Sequence, residues 1–450
     1  MTDARSARAR VRLLALLAGL FTAFATSGPA RALPAFAVQT GKPSQTCHVG
    51  GFGPQLTPYG RNFKIGGYTQ RATPFNLPVS AMLVASYVRT AKDQPPQTHY
   101  GANDNATFDE ISLFFAGGLG RHLGAFAQAT YDGVGRTFHW DNLDVRATTT
   151  LHVAARDVSV GMSVNNNPTL SDPWNTLPAW GYPFTRSDLA PAPATAPLLS
   201  GALAQNTLGV TTYAWIANAF YVEAGGYGSP GTNALRRLGV DPFDPGDIRG
   251  LAPYARLAYQ TALAGGTAEV GAFAFKAHID PGRDRSTGLH DRYTDLGLDA
   301  SYYRPLAKGD VLTAHARYTH ESATLAATCA LAEADTDCGH ERLNDVRADL
   351  SYYWRNRIGG SVQVFSTTGP PDPIVYADNR NFRPSSSGVM LQIDATPFGG
   401  QAQPRRRLNL RVGMQYTLFT RFNGASRNFD GAGANASDNN TFRIFTWLAF

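Results

Sequence analysis

The residues with the most chemistry in this chain are Ser44-Gln45-Thr46-Cys47-His48. A c-type haem attachment signal reads C-x-x-C-H: two thiols bind the porphyrin edge and the histidine takes the iron from one face. Here the second cysteine and the histidine are in place, and Ser44 stands where the first cysteine belongs. Cys47 can still form one thioether and His48 can still be the proximal iron ligand, which would give haem c with a single thioether. The competing reading is a segment without haem, with Cys47 a free thiol and His48 a surface histidine.

The elements that would position this motif are set by the rest of the sequence. Residues 1–12 carry Arg5, Arg8, Arg10 and Arg12, residues 13–25 are an apolar run, and Ala30-Arg31-Ala32 is an A-x-A cleavage site. These are the parts of a secretory signal peptide over residues 1–32, and the apolar run is too short to span a bilayer. Removing it takes away five arginines and one aspartate, so the formal charge falls from +6 to about +2. The basic balance therefore belongs largely to the leader, and nucleic acid is not an expected partner.

The remainder alternates to its last residue. In 142–152, Leu143, Val145, Ala147, Thr149 and Leu151 fall on one face; Asp144, Arg146 and His152 fall on the other. Residues 345–352 and 408–418 do the same. A period of two sends one set of side chains to each side of a sheet. Tight turns (117–120, 154–157, 265–266, 355–357) alternate with long polar loops (91–106, 229–252, 369–386, 421–438). Aromatic clusters at Tyr302-Tyr303 and Tyr352-Tyr353-Trp354 precede short turns, and the chain ends on Phe450. Together these features predict an all-β fold, a transmembrane antiparallel β-barrel of about 16 strands over residues 76–450, in the outer membrane of a Gram-negative bacterium. Residues 33–75 lack the alternation and form an expected plug at the periplasmic mouth. The long loop 165–205, with seven prolines and Trp174, Trp180, Tyr182 and Phe184, is expected to fold over or into the pore.

The plug carries a specific resemblance. Leu33-Pro34-Ala35-Phe36-Ala37-Val38-Gln39-Thr40-Gly41, Cys47-His48, Pro54-Gln55-Leu56-Thr57-Pro58-Tyr59-Gly60-Arg61, Phe63-Lys64 and Gly66-Gly67-Tyr68 resemble the fused monohaem cytochrome–porin family. Its best-known members are outer-membrane iron-oxidising cytochromes. The resemblance implies a cytochrome-c-like plug that carries electrons between an extracellular donor, Fe(II) in the known members, and a periplasmic c-type cytochrome or other carrier. An Fe(II):cytochrome oxidoreductase activity is thus implied but not read from the residues. The family motif has a cysteine where this chain has Ser44, so the second thioether is missing. The alternative is a haem-less outer-membrane porin for small solutes with a degenerate plug.

Further candidates lie around the motif. Arg61 and Lys64 could pair with haem propionates, or form a solvated basic surface. Met162 and Met414 share a face with lipid-facing residues, whereas Met390 alternates with Gln392 and Asp394 and is the candidate distal ligand, with His315 and His152 as rivals. Cys329 and Cys338 fall in an outer loop of an oxidising compartment, which predicts a disulfide worth ~2–3 kcal/mol of loop entropy. That pairing leaves Cys47 as the odd cysteine. Cys338-Gly339-His340 lacks further ligands at metal-site spacing.

Overall fold

A computed structural model describes residues 35–72, 78–333, 339–398 and 408–450. The expected signal peptide, Leu33, Pro34 and Cys338 lie outside the described residues. The strands are β1 (Val79–Thr90), β2 (Asn105–Gly118), β3 (Leu123–Asp132), β4 (Thr137–Val153), β5 (Arg156–Asn165), β6 (Leu208–Ile216), β7 (Phe220–Gly228), β8 (Gly246–Ile248), β9 (Ala252–Leu263), β10 (Gly266–Pro281), β11 (Asp291–Pro305) and β12 (Val311–Thr324). They continue with β13 (His340–Trp354), β14 (Ile358–Thr368), β15 (Ser386–Ala395), β16 (Asn409–Arg421) and β17 (Thr441–Ala449).

Closure comes from β1, which pairs antiparallel with both β2 and β17. The terminal Phe450 locks the seam, its N–H donating to the Ala81 carbonyl at 2.9 Å while Ala81 N–H donates back at 2.7 Å. β7 pairs directly with β9, and the three-residue β8 only extends the pairing at the end of β10. Sixteen strands therefore form the wall, as the alternation predicts. Closing the sheet removes its edges, which a strand in hydrocarbon requires.

The two faces separate as expected. In β16, Arg411 and Gln415 are buried inside while Val412, Met414, Tyr416 and Leu418 are 39–46 % exposed on the outside. Met162 is likewise exposed. A continuous apolar outer belt of this kind is stable against lipid, not water. The aromatic clusters divide by the same rule: Tyr352 and Trp354 face out, and Tyr353 between them is fully buried in the lumen.

Short connections gather at one end, among them Ala154-Ala155 and Arg355-Asn356, both with positive φ at each central residue, the conformation of two-residue hairpins. The parity has two exceptions: residues 133–136 are a short turn at the long-loop end, and 396–408 a longer connection at the short-turn end.

The lumen is filled from both ends. From the short-turn end enters the plug, with helices α1 (Ala35–Thr40), α2 (Ser44–Cys47) and α3 (Pro58–Ile65). From the other end the loop 166–207 folds inward. Its Leu177, Leu198, Leu199 and Leu203 pack against inward-facing Tyr227, Tyr254 and Phe273 in one apolar cluster. Cys329, in the short helix Ala326–Leu331, is buried and disulfide-bonded.

Candidate functional site

The motif segment is shaped by residues 54–61, just C-terminal to it. Thr57 caps α3, its hydroxyl accepting the Gly60 N–H at 3.2 Å, and Pro58 opens the helix where no backbone donor is needed. The same stretch grips Cys47 and His48. Thr57 N–H donates to the Cys47 carbonyl at 2.9 Å, Val49 N–H donates to Gln55 O at 3.0 Å, and His48 bridges Leu56. The helix approaches so closely at Gly60 that a Cβ there would stand 2.3 Å from the Cys47 carbonyl oxygen. This gives a physical role to the residues 54–61 that carry the resemblance.

The barrel wall holds the segment in turn. Asn356, in the β13–β14 turn, accepts the Gly50 N–H through Oδ1 at 2.5 Å, and its carbonyl accepts from Gln45 Nε2 at 2.8 Å. Asn409 Nδ2 donates to Gly51 O at 2.9 Å. Arg411 is bidentate to Asp394 at 2.9 and 3.0 Å and donates to the Phe52 carbonyl at 3.1 Å. Asn356→Ala should therefore leave the buried Gly50 N–H without its acceptor, at a cost of about 1–3 kcal/mol. The expected result is a roughly ten- to hundredfold fall in hydrogen-exchange protection at Gly50 with the barrel strands unchanged.

Cys47 and His48 open into one cavity of about 380 Å³, within the size range of small-molecule and cofactor sites. Its floor is the plug, its wall is formed by β1–β4 with β16 and β17, and its roof is the inward loop through Ala179, Trp180, Gly181 and Phe184. The lining is chiefly apolar and aromatic. Phe52 stands edge-on to Trp447 at 4.9 Å, and Phe126 edge-on to Trp180 at 5.9 Å. A polar strip of Glu110, Gln128, Asp141 and Asn142 lies in the same cavity, and Lys42 and Ser44 also line it.

The chemistry of the two motif residues is set by burial. Burial lowers the His48 imidazole to about 4, so the ring is neutral near pH 7, the form that binds metal. The backbone of Gly53 and Gln55 offsets part of that shift, yet Nδ1 makes no hydrogen bond of standard geometry. Burial pushes the Cys47 thiol up to about 11, and the cysteine is unpaired. A thiol kept protonated is a poor thiolate ligand and a poor redox nucleophile.

The other expected residues separate. Lys64 lines the cavity, but its Nζ already donates to Leu170 O, Asp172 O and Asn175 Oδ1 at 2.7–2.9 Å, which uses all three hydrogens. It braces the plug to the loop. Arg61 is 4 % exposed, so it is not a solvated surface group, and it does not line the cavity where a propionate partner would stand. Met390 faces inward from β15 but also stands outside the cavity lining. His315 Nδ1 pairs with Asp349 at 2.9 Å, and the His152 side chain is 81 % exposed beside a turn. Sequence reasoning missed Gly60, Asn356, Arg411 and Met82, which line or hold the site. Only Thr57-Pro58 carried a local signal, that of a helix start.

Fold and site together define an outer-membrane β-barrel of porin type with an internal plug. No protein-family profile and no curated protein sequence matches the chain. Among solved structures, OprB of Pseudomonas putida aligns over 83 % of this chain and 94 % of its own at 14 % identity and a TM-score of 0.49. The outer-membrane channel DcaP of Acinetobacter baumannii aligns over 83 % and 96 % at 10 % identity and a TM-score of 0.46. The anion-selective porin of Comamonas acidovorans aligns over 82 % and 98 % at 13 % identity and a TM-score of 0.44.

Proposed function

We propose that the plug holds a haem c through one thioether from Cys47 and axial ligation by His48, and that the chain carries electrons between an extracellular donor and a periplasmic carrier. The observation that supports this most is the aromatic-lined cavity into which both residues open. The residues fit the group: an imidazole held neutral by its surroundings, an unpaired thiol beside it, and a chiefly apolar, aromatic lining. Bound haem would supply one-electron chemistry. The chain's own part is to fix Cys47 and His48 on α2 and its exit, to line the cavity with Trp180 and Phe184, and to hold the plug through Asn356 and Arg411. Lys42, exposed and on the cavity lining, is a better propionate partner than Lys64, whose donors are taken. Fe(II) is the donor that the sequence resemblance suggests, and a periplasmic c-type cytochrome the acceptor. In the outer loop, we pair Cys329 with Cys338 across their short connection.

A second reading, small-solute diffusion, is favoured by the barrel itself, since sixteen strands enclose a water-sized lumen. It requires the inward loop and the plug to leave a path.

The test is a haem-stained gel and a pyridine haemochrome spectrum on protein exported with a c-type maturation system. A stained band with the red-shifted α-band of a single thioether, lost in Cys47→Ala, is the expected result. Ser44 and Cys47 sit three residues apart on α2 and line the same cavity, so Ser44→Cys should restore the second thioether and shift the α-band back. A folded barrel that takes up no haem would overturn the proposal and leave the porin reading.

A further inference from the structure

We infer that the thioether of Met82 is the second axial ligand of the haem site; this rests on the haem reading above. A six-coordinate iron would take a second donor besides His48, and Met82 is the methionine that shares the cavity of Cys47 and His48. It is the fourth residue of β1, where Met82, Val84, Ser86 and Val88 point inward. It lines the cavity shared by Cys47 and His48. It is 9 % exposed and packs in one cluster with Phe52, four residues after His48, and with Trp447.

The rivals are placed elsewhere or already committed. Met162 and Met414 are 42 % and 46 % exposed on the outer face. Met390, His315 and His152 do not line the cavity. Among the polar side chains that do, Tyr68 donates its hydroxyl to Asp144 at 2.6 Å and Lys64 is saturated by three oxygens. Glu110 accepts from Gln128 at 2.8 Å and is hydrogen-bonded to Ser112. What remains on the apolar side is a soft, neutral sulfur, a ligand type that suits haem iron and raises its potential relative to a second histidine. The site is legible only in three dimensions, because Met82 and His48 lie on different elements separated by 34 positions.

A methionine can also be simple filling for an irregular gap, so the test must separate packing from ligation. Met82→Leu conserves volume and shape, and Met82→His replaces one ligand by another. With covalent haem loaded, Met82→Leu should keep the haem stain and the barrel's resistance to denaturation. It should abolish the weak near-red sulfur-to-iron charge-transfer band of the ferric form and lower the midpoint potential. Added imidazole should then bind about an order of magnitude more tightly or better, because no internal ligand is displaced. Met82→His should also remove the band and lower the potential, but stay closed to imidazole. Spectra and potential unchanged in Met82→Leu, with haem fully loaded, would overturn this inference and leave the electron-transfer proposal standing. A wild-type barrel without haem would overturn both.

Discussion

Replacing Arg256 with alanine should open the barrel. Arg256, on β9, is fully buried and holds Asp299 through two bonds of 2.9 and 2.8 Å, Glu269 at 3.2 Å and Asp172 at 3.1 Å. Asp172 belongs to the inward loop and organises it. Its carboxylate accepts the backbone N–H groups of Trp174, Thr176 and Leu177 at 2.8–3.0 Å. Thr176 Oγ1 then reaches Asp299 at 2.6 Å, and Lys64 reaches the Asp172 carbonyl at 2.7 Å. One guanidinium therefore ties wall, loop and plug together. Its removal leaves three carboxylates in a low-dielectric interior without their shared cation, a change that costs roughly 3–5 kcal/mol when one partner of a buried pair is lost. The easiest relief is for the loop to swing away and let water reach the acids. The ladder of the sixteen strands contains none of these side-chain bonds, so the barrel should survive. In planar bilayers, Arg256→Ala should show larger, cation-preferring conductance than the parent, and residues 166–207 should become open to protease. Parent-like conductance with a protected loop would mean that Arg256 does not hold the lumen shut.

The second large effect is expected at Gly60. An alanine there would place its Cβ 2.3 Å from the Cys47 carbonyl oxygen, and that oxygen is backbone, already bonded to Thr57 N–H. Neither side can turn away as a flexible side chain would. Either α3 lifts or Cys47 moves, at about 1–3 kcal/mol for overpacking of this kind. Because Cys47 and His48 are adjacent, the displacement disturbs both anchors. If the plug carries haem as proposed, Gly60→Ala should cut its covalent incorporation severalfold while the β-sheet circular dichroism and barrel heat-modifiability stay as in the parent. Full incorporation would show that the grip of residues 54–61 on the motif is not required for attachment.

The strands were legible because their rule is local. A period of two, interrupted by turn residues, sends Val412, Met414, Tyr416 and Leu418 out and Arg411, Gly413 and Gln415 in regardless of what lies beyond the neighbouring strand. The observed wall accordingly contains the alternating stretches read from the sequence, 142–152 within β4 over Thr137–Val153 and 408–418 at β16 over Asn409–Arg421. The aromatic rows were only half legible. The alternation that sends Tyr352 and Trp354 to the lipid side must bury Tyr353, but nothing local says that Tyr353 meets Gly50 of the plug.

The candidate site divides in the same way. Cys47 and His48 were readable as a pair because their chemistry depends on adjacency along one turn and its exit. Lys64 and Arg61 were read as propionate partners or as a solvated basic surface, because a lysine or arginine in a short helix usually keeps its charge accessible. The barrel changes that by enclosing the helix, so that one becomes a brace with every donor used and the other is buried away from the cavity. Sequence by itself determined the membrane barrel, its strand number and its two faces, all of which are set by neighbours in the chain, and it offered the adjacent Cys47 and His48 as the candidate pair. Only the tertiary structure decided that the plug and the 166–207 loop both fill the lumen, that Asn356 and Arg411 hold the motif, and that Met82 and not Met390 lines its cavity. The physical reason is closure: once β17 pairs with β1, residues hundreds of positions apart share one interior, and which of them meet is fixed by register and depth around the ring rather than by any local pattern.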